Sequence, residues 1–187
     1  MVDEAHSTGV FGKKGGGLIE HLGLSGKIDI VMGTLSKALG SVGGYLAGSG
    51  LLKKYLTNRS RHFIYTTAPA PSASAAAMAS IEIILKEPEL RERLWDNINF
   101  LRKGLKEIGF DLMGSVGPII PIRIGETKKC LRLKDFLKTN GVFVSAIRPP
   151  TVPKKTDRLR ISVTAAHRKE DLEKLLEVLK MAEKKGL

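Results

Sequence analysis

Apolar runs broken by glycine and proline divide the chain into alternating short strands and helices. Met1-Val2 reads as the last step of a buried strand running into Asp3. Ile28-Asp29-Ile30-Val31-Met32-Gly33 and Gly44-Tyr45-Leu46-Ala47-Gly48 are short apolar stretches suited to buried strands of an α/β sheet. From Pro71 the composition turns to SASAAAMASIEIILKE, rich in alanine and other helix formers, with the proline where a helix starts and Pro88 where it is interrupted. Over Glu89 to Ile108, Leu90, Leu94, Ile98, Leu101 and Leu105 recur at steps of three and four. That is the stripe of an amphipathic helix, and Gly109 ends it.

The remainder alternates again. Pro118 to Gly125 predicts a strand, Lys128 to Asn140 a helix stopped by Gly141, and Val142 to Ile147 a strand. Arg158 to Thr164 alternates with period two, and Leu172, Leu175, Leu176, Val178 and Leu179 lay an apolar stripe along Lys169 to Lys184. This last part reads as a small α+β unit, separated from the sheet region by the long helical segment.

Composition changes this picture little. The 187 residues are 42% hydrophobic, enough for a real core. A single cysteine, Cys130, excludes an internal disulfide and any Cys-rich metal cluster, and suits a reducing compartment. No apolar run approaches the roughly 20 residues of a membrane helix, so a cytoplasmic protein without membrane partners is expected.

Charge and spelling together suggest a nucleic-acid motor. The chain carries 31 Lys and Arg against 19 Asp and Glu, and residues 3–6 read DEAH, the acidic box of a helicase group. An ATPase of that kind needs a G-x-x-x-x-G-K-[ST] phosphate loop. The nearest Gly-Lys, Gly12-Lys13, is followed by Lys14 and has Ser7 where the first glycine belongs. The basic residues are scattered and aromatics make up only 5%, so base stacking is poorly served and no nucleic-acid partner is expected.

The segment Gly33-Thr-Leu-Ser-Lys37-Ala-Leu-Gly-Ser-Val-Gly-Gly44 offers different chemistry. A lysine between hydroxyls and glycines at the end of an apolar strand is well placed to meet a ligand. A partly desolvated amine is a nucleophile, hydroxyls at Thr34 and Ser36 suit a phosphate, and glycines let main-chain N–H groups approach it. On these residues alone, a turn with an incidental lysine accounts for the pattern equally well. Asp3 and His6 could be a strand-end ion pair or a helix cap. Pyridoxal phosphate chemistry, however, calls for a carboxylate that keeps the ring nitrogen protonated, and Asp3 followed about 30 residues later by GTLSK makes that reading more specific. Glu4 receives no role.

VDEAHSTGVFG, MGTLSKALGSVGGYLAG, FIYTTAPAP, AIRPPTVP and RLRISVTAAH, in this order and spanning essentially the whole chain, resemble the pyridoxal-phosphate α-oxoamine synthases. The resemblance implies the C-terminal half of a fold-type I, aspartate aminotransferase-like transferase of class α/β, with a partial, mostly parallel sheet and a small α+β C-terminal domain. Residues 1–75 would belong to the cofactor-binding large domain, 76–110 to connecting helices and 111–187 to the small domain. Lys37 matches the lysine that bonds the cofactor and later moves the substrate proton, Asp3 the partner of the ring nitrogen, and His6 the histidine near the ring's phenolic oxygen. Thr34 matches a phosphate ligand with Ser36 beside it. Thr66 and Thr67 match positions that reach the cofactor phosphate of the partner subunit, implying a homodimer with shared sites. Arg160 matches the arginine that pairs with the amino-acid carboxylate, and Thr151 lies in a loop near the site. Arg148 and Arg158 are expected to be structural or solvated, and His167 to start a helix.

The implied reaction is a decarboxylative condensation of an amino acid, expected to be L-alanine, with an acyl-CoA, expected to be pimeloyl-CoA. Family members are about twice as long, so a fragment or split protein, inactive without its other half, is expected. Glycine C-acetyltransferase (2-amino-3-ketobutyrate CoA ligase) or another synthase of the family, and a non-catalytic interaction module, are the alternatives.

Overall fold

The computed structural model describes residues 1–187, which divide into two units, Met1–Arg91 and Glu92–Leu187. In the first unit, β1 (Val2–Asp3) runs parallel to β2 (Ile30–Thr34), pairing Val2 with Val31 and Asp3 with Met32. The main-chain N–H of Glu4 continues the ladder by donating to Met32 O at 2.7 Å. β3 (Gly44–Gly48) then pairs antiparallel with β2, Thr34 opposite Gly44. The sheet expected to be mostly parallel thus has one pairing of each sense. The reason is length: residues 35–43 are too few for the crossover that a parallel neighbour needs, so the chain folds back directly.

Glycine at position 33 is enforced by its cross-strand neighbour. A Cβ there would lie 2.5 Å from the hydroxyl oxygen of Tyr45 and 2.6 Å from Cζ, so the ring covers the bare strand and its hydroxyl meets Thr8 Oγ1 at 2.8 Å. Between the first two strands sits a short helix, α1 (Leu18–His21). After β3 come α2 (Gly50–Arg59), capped by Ser49 Oγ accepting from Leu52 N–H at 3.2 Å, and α3 (Arg61–Ile64). These three helices lie outside the elements read from the hydrophobic pattern, because none has a buried residue or a clear apolar stripe. α4 (Pro71–Lys86) starts at the expected proline. The buried apolar residues of this unit are Val10, Leu39 and Ala77, while Leu51, Phe63, Tyr65, Met78 and Leu85 are exposed.

α5 (Pro88–Ile108) contributes its last four turns to the second unit, where Leu94, Ile98, Leu101 and Leu105 are buried as the stripe predicts. The sheet of this unit is antiparallel, in the order β4 (Ile119–Arg123), β6 (Arg158–Ser162), β5 (Ser145–Ile147). One face carries Ile120, Ile122, Leu159 and Ile161 into a core shared with α6 (Thr127–Thr139) and α7 (Lys169–Lys184). β5 is shorter than predicted, starting at Ser145 rather than Val142. No helix is long and apolar enough to cross a membrane.

Candidate active site

Because β1 and β2 are parallel neighbours, their carboxyl ends emerge side by side, and in open α/β sheets this is the edge where ligands bind. Asp3 ends β1 and is exposed, with Oδ1 accepting the Ala5 N–H at 2.8 Å. His6 is exposed in the turn that follows. Thr34 ends β2. Its Oγ1 donates to Gly43 O at 3.2 Å, accepts the Ser36 N–H at 3.2 Å and lies 2.7 Å from Ser36 Oγ. Ser36 and Lys37 then project, exposed, from the 35–43 loop.

That loop is closed on itself. Leu35 N–H donates to Gly43 O at 2.9 Å, Ser41 N–H to Leu35 O at 2.8 Å and Gly40 N–H to Lys37 O at 3.0 Å. Gly43 has φ +114°, a conformation that only glycine adopts without strain. The strand ends therefore bring a carboxylate, two hydroxyls and a primary amine to adjoining positions. This donor set fits pyridoxal phosphate: the carboxylate for the ring nitrogen, the amine for the aldehyde, the hydroxyls for the phosphate.

Thr66 and Thr67 lie elsewhere in this unit, exposed between α3 and α4. Thr66 lines an open surface cleft with Arg61, His62 and Tyr65.

Arg160 and Thr151 belong to the second unit. Arg160 sits on the central strand, opposite Pro121 and Ser145, on the sheet face away from the buried Leu159 and Ile161. No hydrogen bond or ion pair engages its guanidinium. Arg158, on the same face, is half-buried and committed locally: its Nε donates to Thr156 O at 2.9 Å and its Nη2 to Thr156 Oγ1 at 3.0 Å. Thr151 is exposed, its N–H donating to Arg148 O at 3.1 Å. His167 immediately precedes Arg168, the N-cap of α7, and its Nδ1 accepts the Thr164 N–H at 3.1 Å.

The residue that sequence reasoning missed is Glu4. Its side chain is buried, 1% exposed, and its carboxylate accepts the main-chain N–H groups of Leu18 at 2.9 Å and Ile19 at 2.7 Å, and the hydroxyl of Ser7. It caps the start of α1 from a distance and ties residues 15–19 to the end of β1. A Cβ on Gly17, at φ +109°, would collide with that carboxylate at 2.6 Å. Glu20 does a similar job nearer the surface, accepting from Lys14 N–H at 2.8 Å and Gly16 N–H at 2.7 Å. The Lys14 hydrogen bond, foremost, holds the Glu20 carboxyl below its ordinary value.

The fold is that of the fold-type I class of pyridoxal-phosphate transferases. The chain is a member of the aminotransferase class I and II family, which matches residues 1–179. It is 45% identical over 184 residues to 8-amino-7-oxononanoate synthase 1 of Bacillus velezensis, covering 98% of this chain and 47% of that protein. It is 49% identical over 179 residues to a putative 8-amino-7-oxononanoate synthase of Rippkaea orientalis, covering 96% and 46%. Among solved structures, SPT with pyridoxal phosphate superposes with a TM-score of 0.94 at 35% identity, over 98% of this chain and 47% of that one. The 8-amino-7-oxononanoate synthase of Francisella tularensis superposes with a TM-score of 0.88 at 32% identity, over 99% and 55%. The chain thus spans about half the length of the curated relatives it matches.

Proposed function

We propose that this chain is part of a pyridoxal-phosphate-dependent C-acyltransferase that condenses L-alanine with pimeloyl-CoA, with loss of carbon dioxide, to give 8-amino-7-oxononanoate, a step of biotin biosynthesis. The observation that carries the cofactor assignment is the cluster of Asp3, Thr34, Ser36 and Lys37 at adjoining strand ends. The choice of substrates is supported by the names of the relatives in Bacillus velezensis and Francisella tularensis.

When bound, pyridoxal phosphate supplies an aldehyde carbon for amines and a ring that accepts the electron pair left at the amino acid's α-carbon. Lys37 would hold it through Nζ and, as a free amine, would be the group that moves the α-proton. The Asp3 carboxylate would keep the ring nitrogen protonated, His6 would hydrogen-bond the phenolic oxygen, and Thr34 and Ser36 would hold the phosphate. Arg160, uncommitted within its own unit, binds the amino-acid carboxylate by a two-pronged contact that lysine cannot make. In the overall balance, a bond forms between the alanine α-carbon and the acyl carbon, the thioester C–S bond breaks, CoA leaves as the thiol, and the carboxylate departs as carbon dioxide with a proton in its place.

The proposal extends to a cytoplasmic homodimer in which Thr66 and Thr67 face the partner's cofactor phosphate and Thr151 lies near the substrate. It also divides the chain into residues 1–75 of the large domain, 76–110 as connecting helices and 111–187 as the small domain. The likeness to SPT favours one second reading, another synthase of the same chemistry with a different amino acid. An assay of CoA release separates the two, using alanine, glycine and serine with pimeloyl-, acetyl- and palmitoyl-CoA. The chain is assayed alone and mixed with the N-terminal half of the Bacillus velezensis relative. Turnover with alanine and pimeloyl-CoA above the other pairs is expected; preference for another pair contradicts the substrate assignment.

A further inference from the structure

We infer that Ser80 and Ser41 are positioning residues that clamp the Lys37 loop onto α4 and so set where the lysine amine stands. The inference rests on the proposed role of Lys37 and gives a task to Ser41, within the quoted loop segment, and to Ser80, outside every quoted motif. The loop leaves β2 at Thr34 and returns at Gly44, and its internal hydrogen bonds fix its shape without fixing its place on the sheet edge.

Two side-chain bonds supply the place. Ser80 Oγ, on α4, donates to Leu39 O at 2.9 Å, two residues beyond Lys37. Ser41 Oγ, on the loop, donates back to Ala73 O of α4 at 2.6 Å. Ala73, Ala77 and Ser80 are spaced four and three apart, so they share one helix face. The same face buries Ala77, 6% exposed, while the loop buries Leu39, 3% exposed. These two are among only three buried apolar residues of the unit, so the loop–helix contact is a principal part of its core.

The chemistry explains why such a clamp matters. Lys37 is long, exposed and has several free torsions, and an amine that must meet an aldehyde carbon at bonding geometry loses about 100-fold in rate for a misplacement of about 1 Å. Holding Leu39 O and Ser41 Oγ fixes the main chain on the far side of Lys37, as Thr34 fixes it on the near side through Gly43 O. The small side chains at Ala73 and Ala77 let the loop approach closely enough for both bonds to form.

The test uses the 187-residue chain with Ser80→Ala, Ser41→Ala and the hydroxyl-restoring Ser80→Thr. Amide hydrogen exchange reads the clamp, and two measurements read its purpose: the rate at which Lys37 captures pyridoxal phosphate and the induced circular dichroism of the captured cofactor. The expected result is a rise of about tenfold in exchange over residues 35–43 in each alanine variant, with slower capture by about tenfold and at least a halved dichroic band. Ser80→Thr restores all three. Unchanged loop exchange in Ser80→Ala overturns the clamp. Faster exchange with unaltered capture and dichroism overturns the positioning role, and so does a loss that Ser80→Thr leaves unrepaired. If the unsubstituted chain captures no cofactor at Lys37 either alone or mixed with the N-terminal half of the Bacillus velezensis relative, the proposed function fails instead, and the exchange measurement alone judges the clamp.

Discussion

The Glu4 carboxylate accepts the main-chain N–H of Ile19, fifteen residues further along, at 2.7 Å. With the Leu18 N–H and the Ser7 hydroxyl it gathers three donors in a site that is 1% exposed. A buried carboxylate of this kind is tolerable only because each bond is charge-assisted. Glu4→Gln replaces one acceptor by a donor that faces main-chain N–H groups. The expected cost is about 1–3 kcal/mol in urea unfolding. A variant as stable as the parent contradicts the capping role.

Gly33→Ala should destabilise by about 1–3 kcal/mol, because the added Cβ meets the Tyr45 ring and the strand cannot move without breaking its pairing on both sides. Combining it with Tyr45→Ala removes the clash. The double variant is therefore expected to lose less than the sum of the two single ones, a coupling that denaturation of all three measures.

The guanidinium of Arg160 has no hydrogen-bond or ion-pair partner in its unit and is exposed on a strand, so Arg160→Lys should change stability by less than about 0.5 kcal/mol. In the catalytic assay the same change should raise KM for the amino acid about tenfold or more while leaving the KM for the acyl-CoA unchanged. An equal effect on both substrates would argue against carboxylate binding.

Glu20 makes stability depend on pH in a known direction. Its folded-state carboxyl titrates below the ordinary value of 4.5, chiefly through the Lys14 N–H. The stabilisation is therefore fully present above that ordinary value and is lost as pH falls through the lower folded one. Unfolding measured from about pH 6 down to about pH 3 should show Glu20→Gln less stable at the upper end and the gap closing toward the lower. A constant gap would mean that the carboxylate's charge is not what holds Lys14 and Gly16.

Much of the fold was legible because burial and periodicity coincide. α4, α5 and α7 follow the predicted spans within a residue, and the period-two alternation of Arg158 to Ser162 places Leu159 and Ile161 inward. α2 escaped because GLLKKYLTNR is exposed and has no stripe; its start is set by Ser49 capping Leu52 N–H. The direction of β3 turned on the length of the 35–43 loop. Of the proposed site, Asp3, Thr34 and Lys37 could be chosen from their neighbours in sequence. Glu4 could not, since its partners Leu18 and Ile19 come within reach only after the glycine-rich turn folds back, and no spacing rule encodes that return.

The central claim is that Lys37 bonds pyridoxal phosphate. The direct measurement is to incubate the chain with the cofactor, reduce with borohydride, digest, and locate the added pyridoxyl mass. The account predicts one dominant adduct, on the peptide carrying Lys37, abolished in Lys37→Ala and weakened in Asp3→Asn. Adducts spread evenly over the chain's lysines, or a dominant adduct that survives Lys37→Ala, would contradict it.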